Sequence, residues 1–182
     1  MTPVPDSITE EASTAVLAIN IGQPKPLPGQ KNEVLSGIVK HPVSAPVFLS
    51  FTGMTGDAQA DLVHHGGPDK AVCLYSKKNY SLWEQDVTVL PEYAMFGENI
   101  TVSDLDEQDV HFGDQFKLGD AVLEVSEIRE PCWKIQEKYK IPNLIKRMSD
   151  SGKTGFYLRV LKEGYVQEDS NLELLKYADN ET

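Results

Sequence analysis

The segment AVLEVSEIREPCWK, residues 121–134, joins a predicted strand to a predicted helix, and the rest of the chain is organised around it. Aliphatic and β-branched residues open the segment, with Leu123 and Val125 on one side of an extended chain. Pro131 has no N–H to donate and cannot continue a strand ladder, so it ends the strand. Cys132 follows it, and the residues after the cysteine have helical composition. We therefore predict a strand that ends just before a cysteine and leads directly into a helix.

Cys132 is the first candidate for chemistry. Arg129 and Lys134 flank it, and their positive potential favours the thiolate, which is the form that binds metals and attacks electrophiles. The alternative is a thiol that packs beneath a loop as a small hydrophobe. The local sequence leaves both interpretations open. The other cysteine, Cys73, has apolar neighbours and no local positive charge, so we interpret it as a core thiol.

The amino-acid composition limits the classes of protein to which this chain can belong. A net charge of −11 over 182 residues argues against binding to a nucleic acid polymer or to an anionic membrane, because both require basic patches. The chain has no run of about 18 apolar residues, and its N-terminus lacks the features of a signal peptide. Two cysteines do not form a disulfide framework. We expect a cytoplasmic protein with free thiols.

Short apolar runs separated by glycine and proline indicate many short strands. Strands are predicted at residues 15–21, 36–40, 47–51, 71–75, 121–128, 156–161 and 172–175, and short helices at 77–85, 133–139 and 143–148. The last two strands are expected to meet across a turn at Glu163-Gly164. This pattern favours a mainly β fold, a closed or nearly closed β-barrel with a few short peripheral helices. We assign residues 1–14 to a flexible arm, 15–176 to one barrel domain and 177–182 to a tail.

Two further motifs could contribute to a site. The turn His65-Gly66-Gly67-Pro68-Asp69-Lys70 can direct backbone N–H groups at an anion, with Lys70 and a histidine adding charge. A sharp turn with incidental histidines is the alternative. In Phe96-Gly97-Glu98-Asn99, the glycine admits close backbone approach and Asn99 offers both donors and acceptors. A turn that simply enters a strand explains this motif equally well.

The ordered set of motifs resembles the MOSC domain, the family named for the C-terminal domain of molybdenum cofactor sulfurases, and most closely its stand-alone bacterial YiiM-type members. The resemblance covers about residues 38–174. It is carried by Gly56-Asp57, His65-Gly66-Gly67-Pro68-Asp69-Lys70-Ala71, Trp83, Phe96-Gly97-Glu98-Asn99, Gly113-Asp114, Pro131-Cys132, Gly152-Lys153 with Gly155-Phe156, and Arg159. Several YiiM-type proteins continue into a small helical C-terminal domain, which this sequence does not include.

The resemblance implies a MOSC-type β-barrel that binds molybdenum cofactor, a molybdenum ion on a pyranopterin with a phosphate tail. Cys132 would then be the metal ligand or a sulfur-carrying thiol, and a soft thiolate suits such a metal. The cofactor-binding residues expected from the family motifs, together with further basic candidates, are Lys40, His65, Gly66, Gly67, Asp69, Lys70, Asn99, Arg129 and Arg159.

Two functions follow as leading hypotheses from this resemblance. The first is an oxidoreductase that reduces small N-hydroxylated compounds, such as hydroxylamino-purines, with electrons from an external reductase. The second is a sulfur carrier in cofactor sulfuration, with a persulfide on Cys132 supplied by a separate pyridoxal-phosphate-dependent cysteine desulfurase. A binding module without catalysis is a third reading, and a barrel with a structural Cys132 is a fourth.

Overall fold

The computed structural model describes residues 13–26, 35–58 and 67–178, so most of the predicted arm and the last four residues of the predicted tail lie outside it. Within this part the chain forms short strands, two α-helices and two 3₁₀ turns. The strands are β1 (Thr14–Ile21), β2 (Lys25–Pro26), β3 (Leu35–Ser36), β4 (His41–Pro42), β5 (Val47–Ser50), β6 (Gly53–Met54), β7 (Val72–Ser76), β8 (Ile100–Val102), β9 (Gln115–Leu118), β10 (Ala121–Ile128), β11 (Phe156–Lys162), β12 (Gly164–Val166) and β13 (Asn171–Lys176).

Seven of these strands close into a barrel. Their order around the ring is β13-β9-β10-β11-β7-β8-β1, and β1 pairs with β13 to complete it. The β7–β8 pair is parallel, and the other pairs of the ring are antiparallel. Closure leaves no unpaired edge on the ring. The predicted mainly β fold with a closed barrel is confirmed.

Alternating side chains fill the barrel. In β10 the residues Ala121, Leu123 and Val125 are buried while the residues between them are more exposed, as expected for a strand with one face on the core. Leu74, Ile100 and other residues from every strand of the ring form one mainly aliphatic cluster, which also contains Phe116 and Phe156. This cluster is the barrel interior.

A second layer packs outside the barrel, and we call it the cap. It comprises a 3₁₀ helix at Lys77–Trp83, the loop 91–99, and the helices α1 (Trp133–Tyr139) and α2 (Leu144–Ser151). Its core is rich in aromatic side chains, whose rings make tilted and edge-to-face contacts with Phe96. A shorter 3₁₀ helix, Pro68–Lys70, lies before β7. The predicted short helices are therefore present.

Two details of the predicted strands are wrong. The chain after β11 does not return along that strand, because β12 pairs with β5 and β13 pairs with β9 and β1. Leu172 and Leu174 thereby enter the barrel interior, and β13 satisfies the edges that β1 and β9 would otherwise leave open. In place of the predicted strand at 36–40 the structure has the two-residue strand β3, and the strand β4 that follows lies at the edge of the sheet, where proline is tolerated.

In the part of the chain that is described, no helix combines the length and the apolar composition needed to cross a bilayer.

Candidate functional site

Cys132 stands at the junction between the barrel and the cap. Strand β10 ends at Ile128, and Cys132 is the extended residue that precedes α1, with φ −87° and ψ 142°. Its carbonyl accepts a hydrogen bond from the N–H of Ile135 at 3.0 Å, which fixes the start of the helix. The thiol is free and the residue is half-buried. The predicted order of strand, cysteine and helix is confirmed.

Arg129 is the buried cation beside this junction. It is only 7% exposed, and its backbone N–H donates to the carbonyl of Gly155 at 3.0 Å. Burial opposes its charge, but Cys73, Tyr157, Glu98 and Cys132 surround it and the pKa of the guanidinium is raised. Its Nη1 finds no hydrogen-bond partner among the described residues. A buried donor of this kind is suited to an anionic or polar ligand.

Asn99, a predicted site residue, is held in a hydrogen-bonded chain. Its Nδ2 donates to Asp57 Oδ2 at 2.8 Å, and its Oδ1 accepts from the backbone N–H of Cys73 at 2.9 Å. Lys40 Nζ approaches Asp57 Oδ1 at 2.7 Å, and both side chains of this ion pair are almost fully buried. The chain Lys40–Asp57–Asn99 therefore ties the segment before β5 to the barrel strand β7. Asp57 neutralises Lys40 within it.

Glu98, next to Asn99, lies at the centre of a buried network. One oxygen accepts from Phe96 N at 3.0 Å, and the other accepts from Thr101 Oγ1 at 2.9 Å and from the hydroxyl of Tyr80. Gly97 makes this turn feasible, because its φ is 73° and a Cβ would lie 2.9 Å from the carbonyl oxygen of Ile38. Glu98 lies within the motif of residues 96–99, but nothing in the sequence marked it as a site residue.

The predicted turn at 65–70 is only partly described, and His65 and Gly66 lie outside the described residues. Gly67 adopts φ 96° at the start of the Pro68–Lys70 turn. Lys70 Nζ lies 3.8 Å from Glu127 Oε2 and 5.8 Å from the centre of the Tyr157 ring. The structure thus brings Lys70 towards the same wall as Arg129.

Two other predicted cofactor residues pair with one another on the outside of the barrel. Arg159 Nε donates to Asp69 Oδ1 at 3.0 Å, and Arg159 Nη1 donates to Glu124 Oε1 at 2.8 Å. The guanidinium and the Asp69 carboxylate are both partly exposed to solvent. A role for either residue in binding a cofactor stays a prediction.

Tyr157 is the functional candidate that sequence reasoning missed. It pairs with Cys73 across β11 and β7, and its phenol lies near the charge of Arg129. Burial raises the pKa of the phenol to about 12, so it stays protonated and can act as a donor. Its neighbour Cys73 is buried, as predicted, and burial raises the pKa of that thiol. The sequence indicated only that Tyr157 lies in a strand. That pattern does not distinguish a tyrosine in a functional site from a tyrosine in the core.

These residues fit the cofactor that the sequence suggested. A half-buried thiol offers a soft ligand to molybdenum, and the unpartnered nitrogen of buried Arg129 offers a donor and a positive charge to a pterin or its phosphate. Lys70 adds a second cation on the same side. The residues that would hold the group are therefore Cys132, Arg129 and Lys70, with Tyr157 as a neutral donor.

Known protein families and structures include clear relatives of this chain. The family model described as "MOSC domain" matches residues 61–173. The chain is 44% identical over 161 residues to the uncharacterized protein YflK of Bacillus subtilis, covering 88% of this chain and 73% of YflK. It is 35% identical over 153 residues to protein YiiM of Escherichia coli, covering 81% of this chain and 67% of YiiM.

A protein named "Reductase" from Gibberella moniliformis is 37% identical over 148 residues, which are 79% of this chain but 26% of that protein. Among solved structures, YiiM from Geobacillus stearothermophilus superposes with a TM-score of 0.75 at 34% identity, covering 92% of this chain and 77% of that chain. The Escherichia coli YiiM structure has a TM-score of 0.71 at 27% identity, covering 93% and 73%. The chain belongs to the MOSC domain family.

Proposed function

We propose that this protein binds molybdenum cofactor and uses it to reduce small N-hydroxylated compounds with electrons from an external reductase. The observation that carries the proposal is the half-buried thiol of Cys132 beside the buried, incompletely partnered guanidinium of Arg129. Similarity to YiiM and to a fungal protein named "Reductase" supports the choice of a reductive reaction.

The chemistry balances as a two-electron reduction. A hydroxylamine R–NHOH takes up two electrons and two protons, its N–O bond breaks, and R–NH₂ and water are released. When bound, the cofactor supplies the oxygen-atom and electron transfer that no side chain of this protein can supply. The electrons come from a separate reductase protein, such as a flavoprotein.

The side chains of the site have separable roles in this proposal. Cys132 would bind the metal through its sulfur, and α1, which begins directly after it, would fix the position of that sulfur. Arg129 would balance the negative charge of the cofactor, and its burial would strengthen the attraction. Tyr157 lies near Arg129 and would keep a neutral O–H in the site. The Lys40–Asp57–Asn99 chain fixes the neighbouring wall.

A sulfur-carrier role is the second candidate, and the partial exposure of Cys132 favours it. In that reaction the thiolate of Cys132 attacks the outer sulfur of a persulfide on a cysteine desulfurase. A new S–S bond forms on Cys132, the S–S bond of the desulfurase persulfide breaks, and the desulfurase cysteine leaves as a thiolate. Exposed Trp133 next to Cys132 offers an apolar contact for such a donor.

The test compares the two cysteines. Protein loaded with molybdenum cofactor is assayed for molybdenum content, for oxidised pterin fluorescence, and for hydroxylamino-purine reduction with a flavoprotein donor. We expect Cys132→Ser to lower molybdenum retention and turnover by ~100-fold or more, since a lost ligand has at least the effect of a lost supporting residue. Cys73→Ala removes the buried thiol and is the matched control, expected to retain molybdenum.

The possible outcomes distinguish the metal-ligand role, the reductase activity and the sulfur-carrier role. Equal molybdenum content in Cys132→Ser and wild type contradicts the metal-ligand role. Molybdenum binding without turnover in any donor system contradicts the reductase. Addition of one sulfur atom to Cys132 in mass spectrometry after incubation with a desulfurase, absent from Cys132→Ser, favours the carrier role.

A further inference from the structure

A cavity of about 510 Å³ lies beside the site but is not used by the function proposed above. The segment before β5, the loop after Pro91 and helix α1 line it, and it is open to solvent. Its lining residues are Val39, Lys40, His41, Pro42, Pro91, Glu92, Tyr93, Ala94 and Lys138. The volume falls within the range of pockets that hold small organic ligands, about 300–1,000 Å³.

Lys138 lines this cavity, and its ammonium group forms no ion pair with the described residues. Its amine lies 5.0 Å from the centre of the Tyr139 ring, and no carboxylate or carbonyl of the described residues forms a hydrogen bond or ion pair with it. Burial lowers its pKa, which Glu98 opposes. Glu98 is a nearby negative charge, but its carboxylate oxygens accept hydrogen bonds from Phe96 N and Thr101 Oγ1, and it forms no ion pair with Lys138 within 4 Å. Lys138 is half-buried, and a partly desolvated lysine with no ion pair among the described residues is stabilised when an anion binds.

The other charged groups around the cavity are either paired with another residue or exposed at its edge. Lys40 gives its amine to Asp57, 2.7 Å away. Glu92 is exposed to solvent. His41 is exposed at the rim and can add a donor. The remaining walls are apolar or aromatic, so flat apolar surfaces lie beside Lys138, the lining lysine that forms no ion pair with the described residues.

This combination suits a phosphate attached to a small organic body. A lysine ammonium is a compact charge with three donors, and a phosphomonoester presents three acceptor oxygens to it. The cavity is much larger than a phosphate ion, and Tyr93 with the two prolines can contact a ring. We propose that the cavity lined by Lys138 and Tyr93 binds a phosphomonoester of a small heterocyclic molecule, its phosphate against Lys138.

Two sources share this chemistry, the phosphate of a pterin cofactor and a phosphorylated substrate. The site itself goes beyond the proposed function, because phosphate binding at Lys138 requires no molybdenum. Helix α1 begins after Cys132 and reaches Lys138 six residues later, about 9 Å along its axis. The two sites are therefore neighbours that one helix connects.

The first experiment measures binding of adenosine 5′-monophosphate and of adenosine to the full chain by calorimetry. We expect the phosphate-bearing probe to bind ~10-fold tighter or more, the value of one charge-assisted hydrogen bond. Lys138→Gln should remove that difference. Lys146→Gln is the control, since Lys146 is an exposed lysine on α2 that pairs with Asp150. Equal binding of both probes to the wild type, or an unchanged Kd in Lys138→Gln, overturns the proposal.

A second measurement does not depend on the fold of the Lys138 variant. Wild-type protein is acetylated with and without the nucleotide, and modification at each lysine is quantified by mass spectrometry. We expect the nucleotide to protect Lys138 but not Lys146. Equal acetylation of Lys138 in both samples overturns the proposal.

Loading with molybdenum cofactor distinguishes the two sources. If the cofactor phosphate occupies the cavity, the loaded protein loses nucleotide binding and Lys138→Gln retains less pterin. If a phosphorylated substrate occupies it, the loaded protein still binds the nucleotide. Nucleotide binding that persists while Cys132→Ser and wild type hold equal molybdenum would contradict the proposed function alone.

Discussion

The barrel interior and the cap are stabilised in different ways. The barrel interior is a mainly aliphatic cluster formed largely by strands of the ring, where hydrogen bonds run between backbones and the clustered side chains are apolar. The core of the cap is aromatic and surrounds a fully buried carboxylate, Glu98, with three donors directed at it. The barrel is therefore held together by backbone pairing and apolar packing. The cap, where the candidate site lies, contains buried polar groups whose burial has an energetic cost.

The largest effect on stability is expected from Glu98. The substitution Glu98→Ala leaves the Tyr80 hydroxyl, the Thr101 hydroxyl and the Phe96 N–H without their acceptor, at ~1–3 kcal/mol each. We expect the free energy of unfolding to fall by about 4 kcal/mol in urea denaturation. Glu98→Gln should recover part of this loss, because the amide oxygen still accepts. Glu84→Ala in the same layer is the control, and a drop of similar size there would contradict a special role for Glu98.

The barrel interior is tested by Leu123→Ala. Leu123 is fully buried on β10, and truncation removes apolar contacts and leaves a cavity. We expect a loss of about 3 kcal/mol in the free energy of unfolding. Leu175→Ala on β13 removes the same atoms from a side chain that is 52% exposed, and should change stability far less. Comparable losses in the two variants would show that the interior is not close-packed.

A pH-dependent contact connects the two layers. Asp106, in the loop after β8, accepts hydrogen bonds from Lys153 Nζ at 2.8 Å and from Asn79 Nδ2 at 3.1 Å. Burial alone would raise the pKa of its carboxyl, but these hydrogen bonds outweigh burial and hold the pKa at about 2. Because this value lies below the unfolded pKa of about 3.9, the contact stabilises the protein above that pH.

We expect this stabilisation, about 2 kcal/mol, to disappear as the pH falls from about 4 through about 2. The measurement is the free energy of unfolding from pH 7 to pH 2 in wild type and in Asp106→Asn. The difference between the two proteins should be constant at neutral pH and should shrink in acid. A difference that is independent of pH would contradict the assigned hydrogen bonds.

The smallest effect is expected outside the barrel, at Arg159→Gln. Its ion pairs with Asp69 and Glu124 are partly exposed, and such pairs contribute about 0–1 kcal/mol. We expect a loss within that range, and we expect it to decrease further at high salt. A loss well above about 1 kcal/mol, or one that salt does not change, would indicate that Arg159 has a structural role like that of Glu98.

Much of the fold could be predicted from local patterns. The strand β10, the break at Pro131 and the helix α1 follow from residues that are adjacent in sequence, and the structure reproduces them. The pairing of β13 with β1 and β9 could not be predicted, because it joins residues that lie far apart in the chain. The edge strand β4 was not predicted, because its proline has no N–H to donate and is tolerated only at the edge of a sheet.

The candidate site was predictable to a similar extent. Charge and spacing pointed to Cys132 and Arg129, since both lie in one short segment. The partners of Asn99 come from residues 42 and 26 positions away, Asp57 and Cys73, and no local pattern relates them. Tyr157 was missed for the same reason, because its proximity to Arg129 depends on the register of β11.

The pairing of the first and last strands of the ring also has a consequence for synthesis on the ribosome. Thr14 and Ala15 pair with Leu172 and Asn171, so the ring cannot close until residues 171–176 have emerged. Until then the edges of β1 and β9 lack their final partner and can pair with other extended chains. The barrel therefore has a high contact order, and slow, late closure is expected during its folding.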